Sequence, residues 1–116
     1  MNTYEIWCNL APDQSEVLFS RSLQAFLHHL WEQGVIAAWR VRRRKFGFGP
    51  SELGEFCISL EVVDLSQLEA AFGVVSARAG ETERLHAEVF RRVKDFRSAL
   101  YRDWPDPQDQ RFVDRT

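Results

Sequence analysis

Residues 35–45, VIAAWRVRRRK, alternate with a period of two: Val35, Ala37, Trp39 and Val41 fall on one side, and Arg40, Arg42 and Arg44 on the other. Successive side chains of a strand point to opposite faces, so this stretch predicts a strand with one apolar face and one basic face. Thr3–Leu10 alternates in the same way, with Tyr4, Ile6, Cys8 and Leu10 against Thr3, Glu5, Trp7 and Asn9. Glu55–Asp64 does so again, with Phe56, Ile58, Leu60 and Val62 against Glu55, Cys57, Ser59 and Glu61. Between the first two strands the period changes to three and four through Phe19, Leu23, Phe26, Leu27 and Leu30. This predicts a helix from about Asp13, capped by an Asp13–Glu16 box, to Gly34. The three glycines and the proline of FGFGPSELG, residues 46–54, make that segment a loop.

Further along, Ser66 and Glu69 suggest a second capping box for a helix through Leu65, Leu68, Ala71, Phe72 and Val75 that ends near Gly80. Leu85, Val89, Phe90 and Val93 mark a third helix from about Thr82 to Val93. Residues 96–104 fit either a prolonged helix or a strand; the strand is preferred because it covers a sheet edge that would otherwise stay open. The order is strand, helix, strand, strand, helix, helix, strand. That is an α+β, ferredoxin-like (split βαβ) plan: a four-stranded antiparallel sheet with helices on one face and an extra helix before the last strand. Residues 1–104 are expected to form one domain and residues 105–116 a polar tail.

In a hairpin, opposed residues share a face. The register chosen to match apolar with apolar sets Val41 beside Leu60, Trp39 beside Val62 and Arg40 beside Glu61. Tyr4, Ile6, Cys8, Trp39, Val41, Phe56, Ile58, Leu60 and Leu100 then lie under the helices. The other face carries Glu5, Trp7, Asn9, Arg40, Arg42, Arg44, Glu55, Cys57, Ser59, Glu61, Arg97, Ala99 and Tyr101. Guanidinium groups ~6.5 Å apart along one strand repel unless they are hydrated, paired or holding an anion. Glu5, Glu55 and Glu61 nearly balance Arg40, Arg42, Arg44 and Arg97, which predicts an ion-pair network with Glu61 and Glu55 as the chief partners.

Composition narrows the classes. The 116 residues are 45% hydrophobic and 28% charged, as in an ordinary globular domain, and the net charge of −2 argues against a surface that attracts nucleic acid or anionic lipid. No apolar run approaches the ~18 residues of a spanning helix, and the N-terminus lacks the order of a secretory signal, so the expectation is a cytoplasmic protein with no membrane partner. The two cysteines, Cys8 and Cys57, have neither zinc nor redox spacing and belong to opposite faces. His28 and His29 point about 100° apart on one helix and cannot chelate together, and His86 reads as a boundary residue. No metal site and no cofactor are expected. KFGFG, residues 45–49, has the wrong phase and place for the aromatic RNA-contact motif of a fold with this plan.

The runs AWRVRRRKFGFGPSELGEF, residues 38–56, and ALYRDWPDP, residues 99–107, resemble a bacterial family known only as a domain of unknown function. The resemblance implies a ferredoxin-like fold that pairs, sheet to sheet, into a dimeric α/β barrel. It implies no reaction. The wider barrel superfamily includes cofactor-independent monooxygenases and isomerases, none of whose catalytic motifs maps onto these positions. The leading expectation is a homodimer that binds a small anionic or partly apolar molecule at the sheet face, through candidates Trp7, Asn9, Arg40, Arg42, Ser59 and Tyr101. The alternatives are a monooxygenase- or isomerase-like enzyme using Asn9 and Tyr101, and an interaction module with no ligand.

Overall fold

The chain builds β1 (Asn2–Leu10), α1 (Glu16–Glu32), β2 (Ala38–Arg43), β3 (Phe56–Val62), α2 (Leu65–Ser76), α3 (Gly80–Phe90) and β4 (Val93–Arg102). This computed structural model describes residues 1–105; the tail expected over residues 105–116 lies, apart from Pro105, outside them. The four strands form one antiparallel sheet in the order β2-β3-β1-β4, the split βαβ plan with its extra helix.

Helix ends follow local chemistry. Ser15, not Asp13, caps α1: its Oγ accepts from the Leu18 N–H at 3.2 Å, while Asp13 turns the chain at φ 64°. At the other end Gly34, at φ 75°, closes a Schellman motif, with the Val35 N–H donating to Leu30 O and the Gly34 N–H to Trp31 O. Asp64 rather than Ser66 caps α2: its Oδ1 accepts from the Gln67 N–H, and Gln67 Oε1 accepts from the Val63 N–H. Helix α2 stops at Ser76 and α3 begins at Gly80, both ahead of the expected limits.

The stripe Phe19, Leu23, Phe26, Leu27 and Leu30 packs on Cys8, Phe56, Ile58, Leu60 and Val62 as the main core. Each of these fully buried side chains contributes about 1.5–3 kcal/mol. Val35 and Ile36 are both buried in the same core. They cross to the sheet without alternating, so β2 starts at Ala38 rather than at Val35.

The β2–β3 pairing sets Trp39 opposite Leu60, Val41 opposite Ile58, Arg40 opposite Ser59 and Arg42 opposite Cys57. Faces are as expected, but the register is two residues away from the expected one. Apolar matching is satisfied equally by either register, because a shift of two keeps every side chain on its face. Strand β4 starts at Val93, earlier than expected, because a bulge at Asp95 (φ 57°) breaks the alternation of its first residues. Leu100 lies on the helix side but is 48% exposed.

Candidate functional site

The register lines up three rows across the uncovered face: Ala38, Glu61, Thr3 and Tyr101; Arg40, Ser59, Glu5 and Ala99; Arg42, Cys57, Trp7 and Arg97. Glu5 is the centre. Its carboxylate, only 14% exposed, accepts from Ser59 Oγ–H at 2.8 Å and from Cys57 Sγ–H at 3.0 Å. Arg42 Nη2 donates to Ser59 Oγ at 3.0 Å and stands 3.5 Å from Glu5 Oε2 and 3.6 Å from Cys57 Sγ. These donors replace the water that a carboxylate this buried gives up.

All the Arg42 contacts run through Nη2; Nε and Nη1 have no partner among the described residues. Arg42 is also the common wall of two hollows on the face. One, of about 360 Å³, lies over Glu5, Arg40, Ser59 and Glu61. The other, of about 330 Å³, is bounded by Trp7, Cys57, Phe48 and Pro50, the last two from the 46–54 loop. The Arg40 side chain makes no hydrogen bond or ion pair among the described residues, and neither does the Glu61 carboxylate, whose residue only accepts from the Ala37 N–H through its backbone carbonyl, so the expected Arg40–Glu61 pair is absent. The cause is the register, which sets Arg40 opposite Ser59.

Arg44 is not part of the expected ion-pair network. Its Nη2 donates to the carbonyls of Pro50, Leu53 and Gly54, folding the 46–54 loop back along the strand. The expected partner role of Glu55 goes to Arg43, on the apolar side. Arg43 sits over the Phe56 ring at 5.3 Å, forms two hydrogen bonds with Glu16 and lies 3.2 Å from Glu55. The period-two run of even-numbered arginines does not single out Arg43, whose odd position sets it opposite Phe56 and within reach of Glu16 in the first turn of α1.

Of the six candidates, Trp7, Arg40, Arg42 and Ser59 come together at the two hollows, whereas Asn9 and Tyr101 do not. Asn9 is a structural tie: its amide donates to Asp95 Oδ2 at 3.1 Å and its Oδ1 accepts from the Glu55 N–H at 2.8 Å, pinning the β4 bulge to the start of β3. Tyr101 pairs with Thr3 on the edge strand, 54% exposed and outside both hollows.

Both thiols are free and on opposite faces, Cys8 buried in the core. Burial pushes the Cys8 thiol up to about 11. Cys57 is raised as well, first by burial and then by its hydrogen bond to Glu5 and that carboxylate's charge, against which Arg42 pulls the other way. Neither is an activated nucleophile at neutral pH. His28, expected to be merely solvated, pairs with Glu32 at 2.6 Å and stacks on Trp31, while His29 bonds Thr82 Oγ1 at 2.7 Å. Among the described residues no group of three or more His, Cys, Asp or Glu side chains is placed to hold a metal ion, and no helix is long and apolar enough to cross a membrane.

Several solved structures share this fold. A hydroxynitrile lyase from Passiflora edulis is similar at TM-score 0.66 and 10% identity, over 91% of this chain and 96% of that one. A dimeric ferredoxin-like protein of unknown function from Jannaschia sp. CCS1 is similar at TM-score 0.65 and 10% identity, over 88% and 98%. An antibiotic biosynthesis monooxygenase is similar at TM-score 0.61 and 15% identity, over 90% and 100%. At these identities the likeness shows the ferredoxin-like fold, not the chemistry. A comparison with curated proteins found no match. Over residues 1–116 the chain matches, and so belongs to, the family described as "Family of unknown function (DUF6614)".

Proposed function

We propose that the protein is a homodimer closed sheet face to sheet face, and that this face binds a small carboxylate or phosphate with an apolar body. The observation that carries the ligand is Arg42: half-exposed, oriented by Glu5 and Ser59 through one nitrogen, with its other donors meeting no partner among the described residues. An anion meeting Nε or Nη1 gains a charge-assisted hydrogen bond without breaking the Glu5 network. Trp7 and Phe48 supply apolar walls beside it, and the neighbouring Arg40 adds a second cation. Ser59 holds Arg42 in place.

The dimer is supported by the bare face itself, where Trp7 and the half-exposed Tyr101 share a surface that no helix covers. It is also supported by the fold's similarity to proteins described as dimeric, from Jannaschia and from Thermobifida fusca. A turnover reading, which likeness to a monooxygenase and a lyase invites, lacks the two groups the sequence offered it, because Asn9 is committed elsewhere and Tyr101 stands apart.

Phenylacetate titrated against the protein, followed by calorimetry and by tryptophan fluorescence, tests the ligand. Saturable binding that falls roughly tenfold or more in Arg42→Gln, the order expected for one charge-assisted hydrogen bond, supports it. Equal binding by Arg42→Gln, or equal binding of neutral phenylacetamide, overturns it. Light scattering tests the dimer: a monomer at micromolar concentration rejects it, as does a dimer that persists unchanged when Trp7 is replaced by Glu.

A further inference from the structure

On the helix-covered side of the sheet, α1 and α3 enclose a small cavity of about 90 Å³ against β1, β3 and β4. Its walls, among them Ile6, Leu23, Leu27, Ile58 and Val89, are almost wholly apolar. Outside it, between α2 and α3, lies a wider cleft of about 560 Å³ lined by Phe72, Val75, Arg78, Glu83 and Ala87. His86 and Phe90 line both spaces. One turn apart on α3, they stack ring on ring at 5.7 Å between centroids, and Phe26 tilts against the His86 ring at 5.5 Å. The pair is a partition between an inner apolar chamber and an outer open one.

The histidine is the unusual part. His28 and His29 each have a polar partner, whereas neither ring nitrogen of the half-buried His86 has a hydrogen-bond partner among the described residues. Neither nitrogen is sealed off from solvent, so a ligand's polar head can bond the ring at the partition by displacing water.

We infer that the two chambers form a second small-molecule site, separate from the sheet face. It takes a short aliphatic molecule whose tail enters the inner cavity and whose single polar head bonds His86 at the partition. Size sets the tail: a cavity of about 150 Å³ admits benzene, and about 90 Å³ suits an unbranched chain of a few carbons rather than a ring. Charge does not select the head, because Arg78 and Glu83 balance one another in the outer cleft. Selection rests on His86, which donates from one ring nitrogen and accepts at the other and so meets a hydroxyl or a carbonyl equally. Phe90, 64% exposed, is the swinging half of the partition.

Methyl and histidine-ring NMR of the full chain with 1-pentanol tests the site. The expected result is saturable shifts of the Leu23, Ile58 and Val89 methyls together with the His86 ring. His86→Phe, which keeps the ring and the stack, weakens pentanol roughly two- to tenfold, the worth of one neutral hydrogen bond. Xenon, which needs only the apolar chamber, still shifts the inner methyls of that variant and so reports that it is folded. Phe90→Ala speeds ligand exchange. Pentanol shifts confined to Val75 and Ala87, a His86 ring that does not respond in the wild-type protein, or undiminished pentanol binding by His86→Phe each overturn the site.

Discussion

Glu5 Oε2 lies 3.0 Å from Cys57 Sγ, across a strand pair that sets Trp7 and Cys57 opposite one another. The carboxylate holds the thiol protonated, because a hydrogen bond and a negative charge both oppose loss of the proton, and burial opposes it more. Glu5 thus adds to burial in keeping Cys57 protonated, against the smaller opposing pull of Arg42.

Alkylation makes that suppression measurable. Wild-type Cys57 should react slowly with iodoacetamide at neutral pH, and Cys8, buried and pushed to about 11, should not react in the folded protein. Glu5→Gln removes the charge that raises Cys57, so the thiolate fraction rises and alkylation should quicken roughly three- to tenfold. Intact-mass kinetics with peptide mapping reads this; an unchanged or slower rate contradicts the assignment of Glu5.

The Glu16–Arg43 pair gives a pH signature. Hydrogen bonding to Arg43, and then its charge, hold the Glu16 carboxyl below the usual carboxylate range. A group whose pKa is depressed on folding stabilises the protein above its unfolded pKa, about 4.3 for Glu, and loses that effect as pH falls through the folded value. Thermal melts of Glu16→Gln should therefore lie slightly below wild type at neutral pH, by the small amount usual for exposed pairs, and converge with it as the pH falls through the lowered Glu16 pKa. A gap that persists or widens in acid would show that the pair contributes nothing through ionisation.

Gly54 sits where β3 approaches β1 so closely that a Cβ built on it would overlap the carbonyl of Cys8. Both partners are backbone, so neither gives way cheaply. Gly54→Ala should cost about 3 kcal/mol, the upper end for overpacking, whereas Gly73→Ala, in a helix with open space around it, should be neutral or stabilising by up to about 1 kcal/mol. Urea unfolding of the two variants separates the cases.

Ser15 and Asp13 offer the same kind of contrast at the start of α1. Ser15→Ala removes the acceptor for the Leu18 N–H and should cost about 1 kcal/mol, while Asp13→Gly relieves a left-handed residue and should cost nothing. The reverse order would restore Asp13 as the cap.

Faces were legible in the sequence and register was not, for a physical reason. Period-two alternation fixes which side Arg40, Arg42, Cys57 and Ser59 occupy, but a two-residue slide leaves that pattern intact. The pattern is therefore silent on whether Arg42 lies opposite Cys57, as it does, or opposite Ser59, as the expected register had it. The same limit hid Arg44's turn towards the loop carbonyls, since its periodicity matched that of its neighbours. The start of β4 was obscured because Asp95 adds a residue to the alternation. The helix stripe of α1 was plain, because five apolar residues at spacings of three and four admit one face only.

Asn9 separates structural from ligand-binding roles on this face. It bonds the Glu55 N–H and the Asp95 carboxylate at once, so Asn9→Ala leaves a partly buried N–H without its acceptor and frees the bulge that bends β4. The cost should be about 1–3 kcal/mol of stability. Because Asn9 lines neither hollow, phenylacetate affinity of the folded Asn9→Ala variant should match wild type within about twofold, a difference worth only ~0.4 kcal/mol. Arg42→Gln should show the opposite profile, since an arginine 48% exposed to solvent holds little of the fold together while carrying the anion. Chemical denaturation and calorimetry on the two variants together decide the matter. Equal losses of affinity in both would mean that Asn9 acts on the ligand through the strand ends it ties, and that the hollows beside Arg42 are not the whole site.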